Sequence, residues 1–265
     1  MENPNRLVVR SGIASDLAAL GVGAGDVLLV HSSLKSLGWV CGGAPAVILA
    51  LEDVLTRRGT LVMPTHSGDV SDPANWIAPP VPPDWWPAIR DEMPVFDRDL
   101  TPTRGMGAIP ETFRKQRGTL RSSHPQASFA AWGSRKRRIV RGRQYDYCMN
   151  DSSPLGRLYR LDARVLLLGV GWESNTSFHL AEYRAEIPGR FMVKGGMPIL
   201  AGGKRIWSTV DDIDFGGDDF PAIGADYEAT GKVRRGKVGL ADCRLFRQRE
   251  LVDFAAAWMK KAPRR

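Results

Sequence analysis

Several things that would assign this 265-residue chain to a familiar class are missing from it. It has three cysteines, Cys41, Cys148 and Cys243, odd in number, widely spaced and without a C-x-x-C pair. That pattern excludes a disulfide framework and a cysteine metal site, and fits a reducing compartment. There are four histidines, His31, His66, His124 and His179, and no H-x-H or H-x-x-x-H spacing joins any two of them. A zinc centre usually announces itself by such ligand spacing, so no metal is expected. No apolar run approaches the roughly 18 residues needed to cross a bilayer. The longest, Ala44 to Leu51 and Val165 to Val170, read as a core helix and a buried strand. The N-terminus lacks the basic-then-apolar order of a secretory signal. A cytoplasmic protein with no membrane partner is expected. Internal repeats and low-complexity linkers are absent too, so residues 1–265 are expected to form a single domain.

What is present describes a folded protein. Hydrophobic residues make up 43% of the chain and charged residues 25%, both ordinary for a globular domain. The net charge of +8 favours an anionic partner, whether nucleic acid, an anionic surface or a phosphorylated cofactor. The basic residues are dispersed, except for Arg135-Lys-Arg-Arg138 with Arg141 and Arg143, and for the tail from Lys260 to Arg265. Such runs also read as solvated faces. No nucleic-acid-binding motif accompanies them and the tryptophans lie elsewhere, so nucleic acid is not the expected partner.

The order of elements suggests an α/β fold. Asp16 to Leu20 reads as a short helix stopped by Gly21. Asp26 to Val30 is a buried strand and Ala44 to Arg57 a helix, with Val47, Leu51, Val54 and Leu55 at helical spacing. Thr60 to Met63 is the next strand. Strand, loop, helix and strand in this order predict a parallel βαβ unit with its loops gathered at the carboxyl ends of the strands. Ile109 to Arg117 reads as a helix, Ala127 to Trp132 and Arg164 to Val170 as strands, and Ser177 to Glu186 as a helix. Phe191 to Val193 and Arg205 to Val210 form an antiparallel pair around Gly202-Gly203, and Phe220 to Glu228 and Arg247 to Lys261 are further helices. Between the second strand and the 109–117 helix, residues 68–105 hold eight prolines together with Trp76, Trp85 and Trp86. A loop of this length is usually functional, and this composition suits a stiff lid with aromatic faces; passive packing on the core is the alternative.

Five constellations have chemical potential. His31-Ser-Ser-Leu-Lys-Ser-Leu-Gly-Trp-Val-Cys-Gly-Gly43 runs from a strand through a polar loop to a helix start, where backbone N–H groups attract phosphate; it matches no dinucleotide or P-loop motif, and a plain βα turn reads the same way. Thr101-Pro-Thr-Arg-Gly-Met-Gly107 offers Arg104 as a phosphate partner, or is only a glycine turn. Ser122-Ser-His-Pro-Gln-Ala-Ser128 is a polar turn whose His124 is either a ligand contact or a structural histidine. In Asn175-Thr-Ser-Phe-His-Leu-Ala-Glu-Tyr-Arg-Ala-Glu186, His179, Glu182 and Glu186 share one helix face. Histidine exchanges a proton near neutral pH and a carboxylate beside it holds its charged form, so this face suits acid–base work; an exposed ion pair is the bland reading. The run Asp211-Asp-Ile-Asp-Phe-Gly-Gly-Asp-Asp219 is acidic in a basic chain. It fits a polycationic amine or a solvated turn, and its spacing is not that of a calcium loop.

Taken together these motifs resemble the aminoglycoside 3-N-acetyltransferases. The resemblance rests on His31-Ser-Ser-Leu34, Pro64-Thr65, Ser71-Asp-Pro-Ala-Asn-Trp76, Leu100-Thr-Pro-Thr-Arg-Gly-Met-Gly-Ala-Ile-Pro-Glu111, His124-Pro125, Ser153-Pro-Leu155, Leu167-Leu-Gly169 and Thr176-Ser-Phe-His-Leu-Ala-Glu182, and it covers nearly the whole chain. It implies a single α/β domain with a parallel-rich central sheet flanked by helices and an antiparallel C-terminal section, a fold unlike that of the common acetyltransferase superfamily. It implies acetyl transfer from acetyl-CoA to the 3-amino group of a deoxystreptamine antibiotic. Ser32, Ser33, Leu34, Lys35, Gly38, Val40, Gly42, Gly43, Thr103, Arg104, Gly107 and Ser128 would face CoA. His179 would be the base. Asp212 or Asp214 would supply the carboxylate that orients it, with Glu182 as the alternative. A specificity lid over residues 68–103 would meet the acceptor, with His66, Asp72, Trp76, Trp85, Thr176, Glu186 and Asp218 around the drug.

Either a monomer or a homodimer is compatible with this sequence. A different amine acceptor is a near alternative, and a metallohydrolase built from the histidines and the acidic run is a remote one. Because metal-ligand spacing is missing, transfer activity is expected to survive EDTA; loss of turnover on chelation would favour the hydrolase.

Overall fold

The computed structural model describes residues 7–185 and 191–261. A short strand, β1 (Leu7–Val8), leads into α1 (Arg10–Leu20), which ends at Gly21 in a left-handed conformation. The helix begins before the expected Asp16 because Ile13 and Leu17, one turn apart, are both fully buried. β2 (Val27–Ser32) is buried from Val27 through His31, as a strand covered on both faces must be. The following loop carries β3 (Trp39–Val40), paired in parallel with β1, and ends at α2 (Gly43–Leu55). Val47, Leu51 and Leu55 of α2 are fully buried, and the chain returns as β4 (Thr60–Pro64) with Leu61 opposite Leu28 in parallel register. The expected βαβ unit is therefore present.

The proline-rich segment is not all loop. It contains α3 (Trp86–Glu92), with Pro87 in the first turn, where a missing N–H costs nothing. Next come α4 (Ala108–Lys115), β5 (Leu120–Arg121) and β6 (Phe129–Gly133). The basic stretch beyond β6 holds two helices that its charge concealed, α5 (Lys136–Val140) and α6 (Pro154–Arg160). Then follow β7 (Arg164–Leu168) and α7 (Ser177–Arg184). The antiparallel pair is longer than expected, with β8 (Met192–Ala201) and β9 (Lys204–Ile213) turning at Gly202-Gly203. After α8 (Phe220–Glu228), two further strands, β10 (Arg234–Val238) and β11 (Ala241–Arg247), precede α9 (Gln248–Lys261). Neither strand was legible: β10 is a charged edge strand without apolar alternation.

The main sheet runs in the order β10-β11-β7-β2-β4-β6-β5, and β8-β9 stands apart as a hairpin. β7, β2 and β4 are mutually parallel at the centre, and the strands outside them pair antiparallel. α1, α2 and α4 cover one face, while α5 to α9 cover the other. Among the described residues, no helix is long and apolar enough to cross a membrane.

The second face is keyed by Trp172, whose ring packs on Phe178, Tyr227 and Phe246. Gly224 of α8 lies so close that a Cβ there would sit 2.1 Å from Trp172 Cγ. Gly224→Ala is expected to cost about 1–3 kcal/mol by overpacking. A urea titration checks this, and an unchanged midpoint would show that α8 can retreat freely.

Candidate active site

α7 begins just beyond the carboxyl end of β7, which brings its first turn over the sheet. His179 Nδ1 lies 2.7 Å from Glu182 Oε2, the i,i+3 contact of one helix face. Glu182 is 4% exposed, and its second oxygen accepts the Gly216 N–H at 2.6 Å. Both carboxylate oxygens are thereby satisfied, as burial requires. Phe215 and Phe220 stand edge-on to the imidazole at 4.8 and 5.1 Å. With Nδ1 donating to the carboxylate, Nε2 is the nitrogen left to accept a proton, and it has no hydrogen-bond partner among the described residues.

The expectation that the acidic run orients the histidine is therefore corrected. Asp212 is bound instead by the Tyr183 hydroxyl and by the Cys148 N–H at 3.0 Å. Asp214 is exposed, and its backbone N–H donates to Phe191 O. Strand β9 delivers Asp212 to the helix position next to Glu182, so the run lies beside the histidine pair without entering it. Burial, with Cys148 and Asp212 alongside, raises the Tyr183 pKa and keeps the phenol protonated.

Two further histidines converge from the parallel strands. His31, 5% exposed at the end of β2, has Nε2 3.4 Å from Thr176 Oγ1. His66 follows β4; both its ring nitrogens are shielded from solvent and lack a well-formed hydrogen bond, and the ring meets Phe129 edge-on at 5.1 Å. Burial, and then the nearby charge of His179, pushes each of them down to about 3, so both stay neutral. His124 is structural in its bonding. Its Nδ1 accepts the N–H groups of Gln126 and Ala127, and Nε2 donates to Tyr145 O.

The loop expected to meet a cofactor forms one rim of the same sheet end. Ser33 N donates to Leu168 O, and Ser36 Oγ lies 2.9 Å from Ser33 Oγ while donating to Gly169 O. Ser32 Oγ is shielded and unpartnered. Leu34 is half-buried and Lys35 exposed, and Gly38, Gly42 and Gly43 take positive φ at the turns into β3 and α2. Val40 differs from expectation: it is buried in the core below the loop. Gly107 comes against Ser32, since a Cβ there would sit 4.0 Å from Ser32 O. Arg104 donates its N–H to His66 O and its exposed guanidinium to Asp69. Thr103 is engaged with Glu111 through both N–H and hydroxyl.

Ser128 is a second departure. It is fully buried, with its hydroxyl accepting from Arg121 Nε and donating to Thr65 O, so it supports the site from below. In the lid, Asp72 accepts two bonds from Arg90, Trp76 Nε1 donates to Ser71 Oγ, and Trp85 is exposed. Asp218 is exposed in the loop before α8, and Glu186 lies outside the described residues. Sequence reasoning held His31, Tyr183, Phe215 and Gly216 only as members of motifs and gave none of them a place beside His179 or Glu182. Nothing in the sequence links Gly216 to Glu182, which is 34 residues away.

A mixed α/β sheet of this topology, with a carboxylate–histidine pair at the carboxyl end of its parallel strands, places the protein among acyltransferases whose fold is distinct from the common acetyltransferase superfamily. Residues 29–260 match the family described as aminoglycoside 3-N-acetyltransferase, and the chain belongs to that family. It is 48% identical to the SPbeta prophage-derived aminoglycoside N(3')-acetyltransferase-like protein YokD of Bacillus subtilis, covering 94% of this chain and 91% of that one. The crystal structure of YokD superposes with a TM-score of 0.95 over 98% of this chain and 96% of that chain. Aminoglycoside N(3)-acetyltransferase VII of Streptomyces paromomycinus is 39% identical, covering 96% and 92% of the two chains. Two solved structures carry ligands in their descriptions. AAC-IIIb, binary with CoASH, is 29% identical with a TM-score of 0.86, covering 98% of this chain and all 100% of that one. AAC-VIa, bound to sisomicin, is 31% identical with a TM-score of 0.87, covering 96% and 98%.

The two neutral histidines make stability pH-dependent. Unfolded histidine titrates near 6.5, whereas folded His31 and His66 titrate at about 3. Between those values the unfolded chain binds more protons. The stability is fully present above 6.5 and is lost as the pH falls towards 3, by at most about 1.4 kcal/mol per pH unit for each histidine. Replacing His31 or His66 by Asn should flatten the fall in urea midpoint between pH 6.5 and 4. An unchanged slope would contradict the neutral assignment.

Proposed function

We propose that the chain transfers the acetyl group of acetyl-CoA directly to the 3-amino group of a 2-deoxystreptamine aminoglycoside, with His179 as general base and Glu182 as the carboxylate that orients it. The observation that carries this reading is the His179 Nδ1–Glu182 bond, which leaves Nε2 without a hydrogen-bond partner among the described residues. Family membership and the relatives bound to CoASH and to sisomicin supply the two substrates.

An aminoglycoside amine is mostly protonated at neutral pH and must lose a proton to act as a nucleophile. That first proton goes to water; as the neutral nitrogen bonds to the thioester carbon, His179 Nε2 takes a second proton from it, and buried Glu182 stabilises the imidazolium. The carbonyl oxygen becomes an oxyanion that needs donors about 3 Å away, a task for the Thr176 hydroxyl or for amides of the Ser32–Gly43 loop. When the tetrahedral intermediate collapses, the C–S bond breaks and the CoA thiolate leaves, taking the proton from His179. No acyl-enzyme is required. Burial raises the thiol pKa of Cys148 well above its ordinary value and that of Cys243 to about 11, so neither is a ready nucleophile.

The two rims suit opposite charges. The 32–43 loop, Thr103, Arg104 and Gly107 meet the polyanionic donor, in keeping with the +8 net charge. Asp212, Asp214 and Asp218, with the aromatic lid, meet the ammonium groups of the acceptor. A second reading keeps the chemistry and changes the amine. The relative at 48% identity, YokD, is named aminoglycoside N(3')-acetyltransferase-like, a likeness that leaves its own acceptor open.

His179→Ala is expected to lower kcat by about 100-fold to 10,000-fold, the usual worth of a general base, with CoA affinity near normal. Glu182→Gln should lose less. Thiol release from acetyl-CoA, followed across a panel of aminoglycosides, measures both. A His179→Ala enzyme that keeps most of its turnover would sink the base assignment, and a panel in which no aminoglycoside stimulates release would sink the acceptor.

A further inference from the structure

The basic stretch after β6 does not behave as a uniform solvated face. Its first part becomes α5, anchored by buried Ile139 and Val140. Its second part, with the start of α6, encloses a cavity of about 130 Å³ lined by Arg141, Arg143 and Arg157, with Ser123 and Ser152 on its wall and no carboxylate in its lining. None of these three guanidiniums forms an ion pair among the described residues. By contrast, Arg90, Arg114, Arg164, Arg184 and Arg244 each have one.

We propose that this cavity binds a tetrahedral oxyanion, inorganic phosphate or a single phosphoryl group, at a place separate from the His179 site. Arg157 is its fixed element. The side chain is half-buried, and Nη1 is held by Ile139 O at 2.9 Å. Gly142 lies directly against the fork: its φ is +85°, and a Cβ there would sit 3.0 Å from Arg157 Nη2. Ser123 Oγ ties Gly142 in place through its carbonyl at 3.0 Å. Arg141 and Arg143, both exposed, stand at the mouth.

The electrostatics are uncompensated. Burial, then the charges of Arg141 and Arg160, lower the Arg157 pKa below its ordinary value. An oxyanion would remove that repulsion, and the planar guanidinium fork matches two oxygens of a phosphate at once. The volume suits one tetrahedral group. Neither His179 nor Glu182 lines the cavity. His124, on its lining, has both ring nitrogens engaged, and the Cys148 N–H is turned to Asp212.

The test is a thermal-shift and calorimetric titration of the full chain with inorganic phosphate, against sodium chloride of matched ionic strength. It is run free and saturated with CoA, so that phosphate cannot act through the donor site. A saturable stabilisation by phosphate that persists with CoA bound is expected. It should weaken about tenfold or more in Arg141→Ala/Arg143→Ala, the loss of two charge-assisted contacts at exposed, fold-neutral positions. Sulfate should compete. Equal effects of chloride, an unchanged double variant, or loss of the phosphate effect on adding CoA would each overturn the proposal. Failure of CoA to bind at all would count against the donor reading above, while the phosphate titration of the free chain and its double variant would still decide this one.

Discussion

The parallel pairing of β7, β2 and β4 is the constraint on which the rest depends. Parallel neighbours cannot be joined by a hairpin, so each strand must leave the sheet at its carboxyl end and return by a crossover. The chain therefore releases Ser32–Gly43 after β2, His66 and the lid after β4, and Gly169–Thr176 after β7, all at one end. The register carries the detail. His31 stands opposite Leu167, which sets its ring within reach of Thr176 where α7 begins. Ligand crevices of open α/β sheets form at such carboxyl ends for this reason.

A second dependence runs through Glu182. A carboxylate at 4% exposure is costly unless its oxygens are bonded, and here one partner is on its own helix while the other arrives from the loop beyond the hairpin. The Gly216 N–H ties the end of β9 to α7 and brings Phe215 against the imidazole. The same loop leads to Phe220, which closes the other side of the ring. Orientation of His179 is thus a tertiary property, although the closest contact is local.

The third element is the lid, whose prolines deny it a place in any sheet. Its carbonyls are taken up by arginines rooted elsewhere. Arg121 donates to Thr101 O and Arg98 O, Arg114 to Asp99 O, and Arg205 of β9 to Met93 O and Arg90 O. Part of the net positive charge is therefore structural: Arg121 and Arg205 serve carbonyl oxygens without an ion pair among the described residues, and Arg114 serves one while also pairing with Glu111. That is why a charge count alone says little about partners in this chain, and why Arg141, Arg143 and Arg157, which line one cavity and have no ion pair among the described residues, stand out.

Local patterns determined a good deal. The apolar runs of β2 and β7, the helical stripe of Val47, Leu51 and Leu55, and the glycine turn at 202–203 gave the βαβ unit and the hairpin, because hydrophobic period is a property of neighbours in sequence. The i,i+3 spacing likewise put Glu182 on the face of His179. The strands at 234–238 and 241–247 were hidden because their residues are chosen for an edge and for pairing with β7, which no local period records. The expectation that Asp212 or Asp214 would reach His179 before Glu182 misses for a related reason: density of charge in the sequence does not say where a strand will deliver it, and β9 delivers Asp212 to Tyr183. Ser128 and Val40 were legible as motif members but not as buried ones. The sequence by itself determined the family and the central unit, and put His179 and Glu182 on one helix face. Only the tertiary structure decided which carboxylate reaches that histidine, which motif residues lie beneath the site and which line it, and where the unpaired arginines gather, because each depends on contacts between elements far apart in the chain.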